Sequence, residues 1–197
     1  MFTSGQNTFN DSDSFFKEIL DDSTLRIRLI VSASECIGLP KFTVRVNQQI
    51  LLDKELSEGQ HQFDLDCQTK NCKEASIEIS MSGKGPKDTI VKDGNIIKDK
   101  FIQIEKILIN NYDMISDSEL FYSKFKYFNN GTEVNVTPGF WHNNSTLKLD
   151  CSLPFTLWYT ENTTKNISLS NNLEFRDNKI LAEKQFHKLV EKLKLLK

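Results

Sequence analysis

The stretch Thr24-Leu25-Arg26-Ile27-Arg28-Leu29-Ile30-Val31 alternates between two kinds of side chain. Leu25, Ile27, Leu29 and Val31 fall on one side, and Arg26 and Arg28 on the other. Successive residues of a strand point to opposite faces, so this pattern predicts a strand with one dry face and one wet face. The period of two returns along the chain. Phe42, Val44 and Val46 alternate with Thr43 and Arg45. Asn47-Gln48-Gln49 reads as a turn into Ile50-Leu51-Leu52. His61, Phe63 and Leu65 follow the same rule, as do Ile77, Ile79 and Met81. In the long run 101–109, Phe101, Gln103, Glu105 and Ile107 share one side. Ile102, Ile104, Lys106, Leu108 and Ile109 lie mostly on the other. Asp93-Gly94, set between Thr89-Ile90-Val91 and Ile96-Ile97, predicts a tight hairpin. Short strands at such intervals predict a mainly β chain, an antiparallel β-sandwich or jelly roll.

Outside this core the pattern changes. Residues 1–23 read as an N-terminal arm with a short helix from Asp13 to Leu20, its apolar side formed by Phe15, Phe16, Ile19 and Leu20. Residues 24–112 form the expected sandwich domain. Residues 113–178 read as an aromatic-rich β elaboration packed on it, including Phe121, Phe125, Trp141 and Phe155-Thr156-Leu157-Trp158-Tyr159. Residues 179–197 read as a basic amphipathic C-terminal helix. Its apolar stripe of Ala182, Phe186, Leu189, Leu193 and Leu196 needs a docking surface, in this chain or in a partner. Phe186, Leu189, Leu193 and Leu196 are therefore candidates for an assembly interface.

The chain has 197 residues and a net charge of −2, which gives no ground for expecting nucleic-acid binding. The charge is uneven: residues 1–23 hold five acids against one lysine, and residues 179–197 hold six lysines against two glutamates. No run is apolar and long enough to predict a membrane span. The first seven residues lack the basic and apolar regions of a signal peptide, so retention or assembly in a cytoplasm is expected. Cys36, Cys67, Cys72 and Cys151 are then expected as free thiols. Cys67 and Cys72 have a loose zinc-like spacing without a histidine nearby. Cys151 continues an apolar series and reads as buried.

No nucleophile motif, phosphate loop or metalloprotease motif is present, and the reading is non-enzymatic. Asp88, Asp93 and Asp99 are candidates to converge at one sheet end and hold calcium, whose ligands are hard oxygens. The competing reading gives Asp93 to the turn and the other two to strand caps. Trp158, Trp141 and Tyr159 are candidates to stack on sugar rings. Strand parity puts Trp158 on the side opposite Phe155, Leu157 and Tyr159, which makes it the best candidate for exposure.

The order Phe42-Thr43-Val44-Arg45-Val46-Asn47, then Gly83-Lys84, then Asp88-Thr89-Ile90-Val91, then Asp99-Lys100-Phe101-Ile102-Gln103-Ile104 up to Ile109-Asn110 resembles small β-sandwich domains in virion proteins of tailed marine bacteriophages. It is distantly similar to calcium-dependent xylan-binding modules. The resemblance covers roughly residues 24–112. It implies a virion structural protein, a capsid decoration or a tail or baseplate component, assembled in the host cytoplasm. Its partners would be other virion proteins and copies of itself. The alternative it implies is a carbohydrate-binding module that adheres to host-surface glycans. Neither nucleic acid nor membrane enters these expectations, and no cofactor does beyond calcium.

Overall fold

The computed structural model describes residues 24–135, 140–141 and 144–163. The chain divides into two units, residues 1–160 and 161–197. The expected helices at 13–20 and 179–197, with the stripe of Phe186, Leu189, Leu193 and Leu196, lie outside the described residues.

Strands β1 (Thr24–Ser34), β4 (Gly59–Gln68), β8 (Phe101–Ile109), β9 (Tyr112–Asp113) and β12 (Phe140–Trp141) form a five-stranded antiparallel sheet. Its order is β12-β8-β1-β4, with β9 also paired to β8. A six-stranded sheet takes β2 (Lys41–Val46), β3 (Gln49–Glu55), β5 (Glu74–Ser82), β10 (Phe125–Asn129), β11 (Thr132–Val134) and β13 (Ser145–Ser152), in the order β11-β10-β13-β5-β2-β3. Strands β6 (Thr89–Lys92) and β7 (Asn95–Asp99) make a separate ribbon. The β-sandwich expectation holds.

Alternation built this arrangement. Leu25, Ile27, Leu29, Val31 and Ala33 of β1 are buried, as are Phe42, Val44 and Val46 of β2 and Ala75, Ile77, Ile79 and Met81 of β5. All belong to one apolar cluster shared by the two sheets. Each large side chain so buried contributes on the order of 1.5–3 kcal/mol through removal from water. Tight turns with positive φ close the hairpins at Asn47-Gln48, Asp93-Gly94, Asn110-Asn111 and Asn130-Gly131. Asparagine, aspartate and glycine tolerate that backbone region best, which explains this turn chemistry.

Three expectations are corrected. In 101–109 the parity does not run through. Ile30 faces Lys106 but Val31 faces Ile104, so Glu105 is an extra residue. This bulge moves the buried set from Ile102 and Ile104 to Ile107 and Ile109. Second, the aromatic segments are partly helical. Helix α1 (Ser118–Lys124) is capped by the Asp117 side chain, which accepts from Leu120 N–H at 3.0 Å. Helix α2 (Phe155–Thr163) follows the cis Leu153–Pro154 bond and holds Trp158 and Tyr159. Third, the sheet runs across residue 112. Strand β13 pairs with β5 from Ser145↔Met81 to Ser152↔Glu74, so residues beyond 112 complete the sandwich instead of covering it.

Phe42 is fully buried and its ring lies 5.8 Å from that of Phe63 on the opposite sheet. Phe42→Ala is expected to cost about 3–5 kcal/mol, read as a lowered urea midpoint.

Candidate functional site

The outer face of the six-stranded sheet is largely polar, with Ile50 and Phe128 as its apolar side chains. One rung, read from the strand register, runs Asp53, Thr43, Ser80, Thr146, Phe128, Glu133. The next runs Ile50, Arg45, Glu78, Lys148, Lys126. A third contains Ser76 and Asp150. Along β5 and β13 these rungs make a strip from Ser82 to Glu74, about 27 Å long at strand rise.

Two shallow grooves lie along it. A 680 Å³ groove is lined by Lys41, Thr43, Arg45, Glu78, Ser80, Phe128, Asn130, Asn144, Thr146 and Lys148, among others. A 550 Å³ groove is lined by Asn47, Glu74, Ser76, Asp150, Ser152 and Trp158, with Ala75 and Cys151 at its base.

The polar groups of the strip are held in place by each other. Thr43 Oγ1 donates to Asp53 Oδ1 at 2.8 Å, and Lys41 Nζ lies 3.0 Å from Asp53 Oδ2. The Lys41 and Thr43 hydrogen bonds hold the Asp53 carboxyl below the usual carboxylate range. Ser80 and Thr146 share a hydrogen bond of 2.9 Å, and Ser76 Oγ donates to Asp150 at 2.6 Å. Lys148 sits between Glu78 at 3.8 Å and Asp150 at 3.6 Å. Arg45 and Lys126 take no hydrogen bond or salt bridge among the described residues. Phe128, half-buried on the same face, is its aromatic surface, and the exposed Ile50 lies beside Arg45 at the β3 edge.

The sugar-stacking candidates have other surroundings. Trp158 is 8% exposed, not outward-facing, because helix spacing replaces the strand parity that put it outside. Its ring packs 5.3 Å from Phe155, and part of it lines the smaller groove. Tyr159 stacks on Tyr112 at 4.2 Å. Burial first, then the Asp117 charge, pushes the Tyr159 hydroxyl's pKa up. Trp141 lies in β12, opposite Ile102 at the sheet edge, and its side chain is outside the described residues. Phe128, which parity alone did not single out, is the aromatic on the polar face.

The aspartate candidates divide. Asp88 and Asp99 meet at the base of the β6–β7 ribbon, while Asp93 occupies the turn at its far end. Each basal carboxylate already holds an ammonium group. Asp88 Oδ2 lies 3.0 Å from Lys100 Nζ, and Asp99 Oδ1 lies 2.6 Å from Lys84 Nζ. Lys100 also donates to the carbonyls of Ile37 at 2.7 Å and Gly83 at 3.0 Å, so all three of its protons are used. Gly83 presents that carbonyl from a φ of +84°, where a side chain would be strained. Asp88 further accepts from Gly85 N–H at 2.6 Å and Ile37 N–H at 3.2 Å. Thr89 Oγ1 donates to Asp99 at 2.6 Å, and Asn144 clamps the Lys84 backbone through both its N–H and its carbonyl. Lysine thus supplies the positive charge here, and the three aspartates do not converge as calcium ligands. Among the described residues no three His, Cys, Asp or Glu side chains cluster as a metal site. Cys151 is buried as expected, and burial pushes the Cys67 thiol's pKa up.

No protein-family model matches the chain, and no curated protein matches it. Among solved structures, a chain described as "vCBM60 in complex with galactobiose" matches at 9% identity and a TM-score of 0.42. The match covers 63% of this chain and 96% of that one. A likeness of this size says nothing of what this chain binds.

Lys100→Met would leave the Asp88 carboxylate buried without its cation, and is expected to cost about 3 kcal/mol in urea unfolding. Adding Asp88→Asn should recover part of that loss. The Gly85 N–H bond, with Lys100 and Ile37 N–H, holds Asp88 below its unfolded pKa. Its stabilisation is therefore complete above about pH 4 and lost as pH falls below that range. Unfolding series at pH 7 and pH 3 should show a smaller acid loss in Asp88→Asn than in the parent.

Proposed function

We propose that this chain is a non-catalytic glycan-binding module and that it holds an oligosaccharide along the outer face of the six-stranded sheet. The observation that carries this reading is the strip itself, with donors and acceptors interleaved at fixed spacing beside one apolar ring. A sugar presents hydroxyls that both donate and accept, and a C–H face that prefers an aromatic surface. Arg45, Lys126 and Lys148 offer donors, Asp53, Glu78 and Asp150 offer acceptors, and Ser80 and Thr146 offer both. Phe128 supplies the apolar patch, and the volume of each groove suits a small ligand.

The opposite face of the sandwich makes a useful contrast. On β1, β4 and β8, Arg28 is paired with Asp64, Ser32 and Gln60 are both bonded to Glu105, and Gln62 donates to Asp64. Those groups satisfy one another. Arg45 and Lys126 on the strip have no hydrogen bond or salt bridge among the described residues, and neither has the Arg26 side chain on the other face, so what favours the strip is its larger grooves and Phe128. Calcium plays no part in this reading, because lysines neutralise Asp88 and Asp99 while Asp93 lies at the far end of the ribbon. No observation on the fold favours the virion role over this one, and adhesion to a surface glycan is the use the strip supports.

The test is a glycan array with the full chain, with Arg45→Ala and with Phe128→Ala, each variant first shown to unfold at the parent's urea midpoint. The parent should bind at least one oligosaccharide, each variant should weaken it about tenfold or more, the effect of about 1.4 kcal/mol, and a chelator should leave it unchanged. No binding to any glycan, or binding indifferent to both substitutions, would overturn the reading.

A further inference from the structure

The β6–β7 ribbon is mostly exposed, and its shaft is apolar. Ile90, Val91, Ile96 and Ile97 are 40 to 64% exposed, and Ile37, whose backbone bonds to Asp88 and Lys100 at the ribbon's base, is exposed too. These are five of the eight exposed large apolar residues among the described ones. Among the described residues each strand of the ribbon pairs only with the other, and both outer edges lack a strand partner there. A two-stranded ribbon with open edges and apolar faces is marginal in water and is a template for a further segment.

The base of this ribbon is nevertheless fixed by the two buried ion pairs of Lys84–Asp99 and Lys100–Asp88. The body therefore holds an apolar ribbon at a defined position. Its polar groups say what it meets. The tip, Lys92-Asp93-Gly94-Asn95, is polar, while the apolar residues lie on the shaft behind it. A ribbon that entered a bilayer would need an apolar tip. With Asp88 and Asp99 neutralised, the ribbon and its approach carry Lys87, Lys92 and Lys98 against Asp93, a net charge of +2.

The two ends of this chain differ in sign. Residues 179–197 carry six lysines and two glutamates, net +4, and the ribbon repels them. Residues 1–23 carry five acids and one lysine, net −4, together with Phe2, Phe9, Phe15, Phe16, Ile19 and Leu20. We propose that the β6–β7 ribbon is a docking element whose occupant is the acidic, aromatic N-terminal segment, residues 1–23. Apolar contact supplies the attraction, and the opposite charges select this end of the chain. The segment enters β1 at Thr24, about 34 Å along the strand from Ser34, and Ser34 pairs with Phe101 beside the ribbon's base. Fully extended, 23 residues reach about 80 Å, so the segment can arrive from its own chain or from a second copy.

Hydrogen exchange on the full-length chain tests this. The amides of residues 90–98 should be protected in the parent, and Phe15→Ala/Phe16→Ala should speed their exchange about tenfold while β1 and β5 stay unchanged. Ile96→Asp/Ile97→Asp should reciprocally speed exchange within residues 13–20. Protection that weakens on dilution, yet still needs Phe15 and Phe16, supports the same occupant delivered by a second copy. A ribbon that exchanges equally fast in the parent and the aromatic variant overturns the proposal. So does protection that appears only with anionic lipid vesicles, or that depends on chain concentration but not on Phe15 and Phe16.

Discussion

Leu29 and Ile107 on one sheet and Val44, Ile79 and Leu147 on the other leave water together in one apolar cluster, and that shared burial constrains everything else. The chain crosses between the sheets repeatedly. Strand β1 lies in the first, β2 and β3 in the second, β4 in the first and β5 in the second. Neither sheet can therefore be assembled without the other, and most contacts join residues distant in sequence. Such a topology folds slowly relative to local ones and cooperatively. It also decides the surface. Once Ile77, Ile79 and Met81 point inward, Ser76, Glu78 and Ser80 must point out, because the strand has only two faces. The polar strip is the necessary reverse of the core.

The Lys100–Asp88 and Lys84–Asp99 pairs act differently from this apolar packing. Buried ion pairs recover little more than their desolvation costs, so the cluster adds little net stability compared with an apolar replacement. Its consequence is positional. Lys100 joins the backbone at Ile37 and Gly83 to the Asp88 side chain, and Asn144 ties Lys84 to the start of β13. Four segments far apart in sequence converge on these charges. An apolar cluster could slide, whereas an ammonium with three oxygen partners has one arrangement. The ribbon's direction follows from that arrangement.

Much of the fold was legible because a half-buried strand writes its period directly. Leu25 to Val31, Phe42 to Val46 and Ile77 to Met81 read correctly, and so did the Asp93-Gly94 turn. The failures share a physical cause: a period read locally cannot see an interruption. At Glu105 one inserted residue reverses the parity, and nothing in Ile104-Glu105-Lys106-Ile107 announces it. At Phe155–Thr163 aromatic and β-branched residues favoured a strand, yet packing of Phe155 and Trp158 at the end of the sandwich selected a helix. Pro154 immediately precedes the helix, and its carbonyl accepts from Leu157 N–H at 3.1 Å in the first turn. The site was less legible still. Thr43, Ser80, Thr146 and Phe128 become neighbours only through the register of four strands, and each alone looks like an ordinary solvated residue.

The chain thus divides its aromatic residues by role in a way composition could not reveal. Phe155, Trp158 and Tyr159 serve the core with Tyr112, and Phe121 stacks on Phe125 at 4.7 Å. Helix α2 is short, and Phe155 and Trp158 join it to the apolar cluster of the sandwich. Phe128 differs because β10 is only one strand from the sheet edge, and its outward position meets Thr146 on one side and Glu133 on the other. An aromatic ring there gains little for the core. Its place among hydroxyls and charges puts one aromatic face on the polar side of the sheet at β10, and the proposed glycan site would have its apolar contact there.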